Sequence, residues 1–66
     1  MKWHVLNNIY DNLPEDNDAV LVIDRNGAIR LCLWRNELKI FEFASSKTRR
    51  IKLENARYWT EFDFGE

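Results

Sequence analysis

The sequence predicts an all-β domain: a small curled antiparallel meander of four or five strands in nearest-neighbour order, with an SH3-like barrel as its closed form. Three observations predict it. Apolar runs of strand length recur along the chain, led by Val20, Leu21, Val22 and Ile23, a block rich in β-branching. An Asn-Gly pair, Asn26 and Gly27, separates two of these runs and is a strong hairpin signal. Polar stretches at 35–37 and 44–50 divide the rest into further short segments.

In chain order, residues 2–6 make a short first strand. Asn7, Asn8, Asp11, Asn12 and Pro14 then favour a loop, because Asn and Asp side chains bond nearby backbone and Pro lacks an N–H. Ile9, Tyr10 and Leu13 are expected to plug this loop into the core. A strand over 19–24 follows, its apolar block fitting cover on both faces. The return strand, 28–34, alternates. Ile29, Leu31 and Leu33 are expected to fill the core, leaving the mixed face of Arg30, Cys32 and Trp34 half open. Residues 38–43 read as the third strand, residues 51–53 as a short one and 56–64 as the last. A helix over 47–58, capped by Ser46, is the alternative for that stretch, but its shared face is poorly apolar.

Sixty-six residues allow one domain, 1–66. A chain this short buries only about 60% of its extended surface, so each large side chain counts. Three Trp, four Phe and two Tyr supply the bulk. Cys32 is alone, which excludes an intrachain disulfide and points to a buried structural thiol in a reducing compartment. No apolar run is long enough for a membrane span, and the first residues do not resemble a secretion signal. A cytoplasmic protein is the expectation.

The net charge of −1 hides a segregation. Residues 1–24 carry −4, residues 25–57 carry +6 and residues 58–66 carry −3. The simplest expectation is that unlike segments face one another in the fold.

Catalytic groupings are absent from the pattern. There is no Gly-rich phosphate loop, and His4 with Cys32 are too few for a metal site. No nucleophile and base stand in a spacing that would join them. The expectation is no enzyme, no cofactor and no metal. Binding is the better fit: another protein, or a second copy, through the aromatic surplus. The alternative is single-stranded nucleic acid on the basic 47–57 segment, with Lys47, Arg49, Arg50, Lys52 and Arg57 for phosphates and aromatic faces for bases. The candidate interaction surface is Arg30, Trp34, Arg49, Arg50, Arg57 and Trp59.

Trp3 and Val5, then Asn12-Leu13-Pro14-Glu15, then Ala19 to Val22, then Trp34 and finally Tyr58-Trp59-Thr60 follow one another in an order that resembles domain-of-unknown-function family 551. These are small proteins of phages, prophages and bacteria. Trp3 matches the family's opening Trp, Leu13 and Pro14 its Leu-Pro, residues 20–22 its valine-rich strand, and Tyr58 and Trp59 its closing His-Trp. The chain departs in a longer stretch between Val5 and Leu13, and in Thr60-Glu61 where the family has Met-Pro. The resemblance implies a small β domain of phage or mobile-element origin and no known activity.

Overall fold

Alternating and β-branched runs become strands where both sides of the pleat can be filled. The computed structural model describes residues 2–6, 12–46 and 48–62. Six strands form: β1 (His4–Val5), β2 (Ala19–Asp24), β3 (Ile29–Arg35), β4 (Ile40–Phe43), β5 (Arg50–Lys52) and β6 (Ala56–Glu61). A 3-10 turn, Leu53–Asn55, joins the last two, in place of any longer helix over 47–58. All neighbouring strands are antiparallel.

The strand order is β1-β6-β2-β3-β4-β5. This corrects the expected architecture. β2 to β5 do form a meander, but β6 then returns to lie between β1 and β2. The sheet has six strands, is not closed into a barrel and is not strongly curled. Closure would need a ladder between β1 and β5, and each of these has one neighbour only. β6 instead spends its length on β2, from Val20↔Glu61 to Asp24↔Ala56.

The Asn26-Gly27 hairpin forms, by a three-residue loop. The Asp24 N–H donates to the Ala28 carbonyl at 3.1 Å, and the Gly27 N–H donates to the Asp24 carbonyl at 3.0 Å. The Asp24 carboxylate accepts from the N–H groups of Asn26 (2.9 Å) and Ala28 (3.0 Å). Only Gly27 takes the left-handed conformation, at φ 84°. That is the place for Gly in a loop of this length. At the next turn Lys39 also has a positive φ, 54°. The third strand therefore begins at Ile40 and not at Leu38, which is 62% exposed.

The core lies on one face of the sheet. Cross-strand pairing aligns Val20 with Cys32, Trp34 with Phe41, Phe41 with Ile51, and Val22 with Trp59. Trp34 and Phe41 are fully buried and pack with ring centroids 4.7 Å apart. Leu6 and Ala56 join them, and Leu13, Phe43 and Leu53 pack against the cluster. Two hydrogen bonds tie flanking chain to β6. The Trp59 indole N–H donates to the Asn12 carbonyl at 2.7 Å, and the Thr60 hydroxyl donates to the Lys2 carbonyl. Leu13 thus plugs the core as expected; Ile9 and Tyr10 lie outside the described residues.

The expected division of β3 is reversed. Cys32 and Trp34 are fully buried, whereas Ile29 is 57% exposed and Leu31 and Leu33 are half-buried. Both sets of side chains are apolar enough to fill a core. The Trp34–Phe41 pair brings more volume, and Leu13 and Leu53 cover that side.

Candidate protein-binding face

The other face of the sheet presents apolar side chains in register. Val5, Tyr58, Ile23 and Ile29 stand opposite one another in sequence across β1, β6, β2 and β3. Val5 is 56% exposed, Tyr58 38% and Ile29 57%, with Ile23 half-buried between them. Two residues further along the strands, Leu21 pairs with both Thr60 and Leu31, and beyond it Ala19 pairs with Leu33. Period two puts all of these on the side away from Trp34, where Thr60, bonded to the Lys2 carbonyl, and Ile40 are buried and the Val5–Ile29 row is the exposed part. A sheet normally buries an apolar face against a second layer of structure. Exposed apolar rows of this size mark contact surfaces.

Charge borders the face on one side. Register places Arg35, Glu42, Arg50 and Lys52 on this same side of β3, β4 and β5. The rim therefore holds three cations against one carboxylate. The acidic 1–24 segment lies beside the basic one along the β2–β3 ladder, yet the contacts between their described residues are not Lys or Arg to carboxylate pairs. Among the described residues the one ion pair joins His4 Nε2 to Glu61 Oε1 at 3.3 Å. His4 also stacks on Trp59, with ring centroids 4.2 Å apart. Arg35 donates to the Asn17 side-chain oxygen (2.6 Å) and Arg25 to the Glu54 carbonyl (3.0 Å), neither to a carboxylate.

The six residues expected at an interaction surface are dispersed. Trp34 is wholly inside the core and Trp59 is 5% exposed, so neither offers a stacking surface. Arg50 and Lys52 point outward on either side of buried Ile51. Arg57 is exposed on β6, beside Val5 and Tyr58. Arg30 and Arg49 line one groove: each guanidinium lies over the Phe43 ring, at 5.7 and 5.9 Å from its centroid. Lys47 lies outside the described residues. Val5, Tyr58 and Ile23 were not in that candidate set. The signal for Ile23 is the uninterrupted apolar block at 20–23, which is apolar toward both faces of the sheet; Val5 and Tyr58 join it only through strand register.

Cys32 sits in the core, and burial pushes its thiol up from 9.0 to about 12, with Arg30 pulling weakly the other way. The thiol stays protonated and unreactive in the folded chain at neutral pH. Above about pH 9 the unfolded chain ionises this thiol and the folded chain does not, so stability should fall as pH rises from 9.0 toward 12. Urea midpoints across that range check this. Cys32→Ala should remove this contribution to the slope.

Among the described residues no three His, Cys, Asp or Glu side chains converge on a common point. No helix there is long and apolar enough to cross a membrane. Fold and face together define a class: a single antiparallel sheet with a one-sided core and an apolar second face. Comparison of the chain with protein families, with curated proteins and with solved structures finds no match.

Proposed function

We propose that this chain is a non-catalytic accessory domain that binds another protein through the exposed apolar row on the second face of its sheet. The observation that carries the reading is the exposed Val5–Tyr58–Ile23–Ile29 row, backed by Leu21, Leu31 and Leu33. Four strands at ordinary spacing span about 14 Å from the first to the last. A helix about 10 Å across fits on that width and would supply the missing layer. The rim argues for the partner's charge. Arg35, Arg50 and Lys52 outnumber Glu42, so a partner with an apolar stripe flanked by carboxylates complements it. A second copy brings the same cationic excess and complements it poorly. A lone, buried thiol suits a reducing, cytoplasmic setting. The resemblance to a phage and prophage family is compatible with this reading and adds no activity to it.

The test uses a synthetic amphipathic helical peptide with a leucine stripe flanked by glutamates, and its lysine-flanked counterpart. Amide resonances are followed during titration. The acidic peptide should shift β1, β6, β2 and β3, and Val5→Glu with Tyr58→Glu should weaken binding at least tenfold, about 1.4 kcal/mol. Equal binding of the lysine peptide, or no shifts at all, overturns the proposal. A concentration-dependent dimer abolished by the same two substitutions would assign the face to a second copy instead.

A further inference from the structure

The ladder between β3 and β4 ends early. Its last register pair is Cys32↔Phe43, followed by one bond from the Ala44 N–H to the Leu31 carbonyl at 3.0 Å. β3 itself begins two residues before Leu31, at Ile29. Strand geometry fixes which way the free groups point. Trp34 exchanges bonds with Asp18 and Asn17 on the β2 side, while Leu31 bonds toward β4. Alternation then turns the N–H and C=O of Ile29 to the β4 side, past the end of the β4 ladder. A groove opens there, between the start of β3 and the Ala44–Ser46 turn.

The groove has two chemically different walls. Ile29 and Leu31 form one. Arg30, Phe43 and Arg49 form the other, with both guanidiniums drawn over one phenyl ring. Neither arginine has a carboxylate partner, since the one ion pair among the described residues is at His4. Two cations thus share one ring and are unneutralised. An extended segment laid against Ile29 would find a backbone donor and acceptor, and its side chains would alternate between the two walls.

We propose that the open end of β3 receives an extended acidic peptide as an added strand, its carboxylates on Arg30 and Arg49 and its alternate apolar side chains on Ile29 and Leu31. The bonds to Ile29 set register. The arginines select carboxylate by charge-assisted, forked hydrogen bonds. The apolar wall, Ile29 and Leu31, is shared with the face of the proposed function; Arg30, Phe43 and Arg49 lie on the opposite side of the sheet and are separate from it.

The experiment titrates the whole chain with a labelled hexapeptide alternating Val and Glu, with its Val–Lys counterpart, and with a six-nucleotide oligothymidylate. Shifts of the Ile29, Arg30, Leu31 and Ala44 amides by the Glu peptide alone support the proposal. Arg49→Glu and Arg30→Glu should each weaken binding at least tenfold, and Arg49→Lys less. Val5→Glu with Tyr58→Glu should leave this binding intact while weakening that of the helical peptide at least tenfold, so the two readings fail separately. Equal binding of the Lys peptide, tighter binding of the oligonucleotide, or no shift at the β3 end overturns it.

Discussion

Trp34→Ala should leave the chain largely unfolded at 25 °C. Trp34 is the largest fully buried side chain, and it packs on Phe41 at the centre of the sheet. Truncating a buried Trp or Phe to Ala costs about 3–5 kcal/mol, because the transfer energy is lost and a cavity remains. Domains hold about 0.05–0.15 kcal/mol per residue, roughly 3–10 kcal/mol for a chain of this length. The loss is therefore comparable with the whole stability. Circular dichroism and a urea titration check it. Trp34→Phe, which keeps an aromatic ring beside Phe41, should retain a cooperative transition at a lower midpoint. If Trp34→Ala unfolds with the wild-type midpoint, the core is not where this face of β3 places it.

A matched pair of substitutions separates the two faces of β3. Cys32→Asp should be severe and Leu31→Asp mild, although the residues are adjacent. Cys32 has no exposed surface and lies among Val20, Val22, Trp34 and Phe41. Arg30 pulls only weakly on this position, and a buried charge without a close partner costs several kcal/mol or forces the group to stay protonated. Leu31 is half-buried on the opposite side, where a carboxylate keeps contact with water. Its replacement should cost on the order of 1 kcal/mol. Comparable losses for the two variants would contradict the one-sided core. The Leu31 variant should also lose the proposed strand addition, since it puts a negative charge on the apolar wall of the groove.

Local pattern carried far in this chain. The strands at 19–24 and 28–34, the hairpin between them and the turn after Trp34 are visible in the residues, because turn chemistry and β-branching act over a few positions. Leu13 as a plug follows from one apolar residue set among loop formers. The surfaces proposed to bind are much less legible. Arg30 and Arg49 are 19 positions apart in the chain and meet only because Cys32 pairs with Phe43 and β5 folds back beside β4. Val5, Tyr58, Ile23 and Ile29 come from four strands, and their row exists only through the register of three ladders.

The sequence by itself determined that the domain is all-β, where its central hairpin turns, and that it has enough large apolar side chains for one core. These follow from interactions between near neighbours and from composition. Tertiary structure decided the placement of β6 beside β2, the open sheet and which face of β3 is inside. Both sides of β3 carry apolar residues, so alternation alone cannot choose between them. The choice rests on what lies across the sheet: Trp34 meets Phe41, Cys32 meets Val20, and Leu13 and Leu53 close over that side. The same choice leaves Ile29, Tyr58 and Val5 outward, and with them the face proposed to bind.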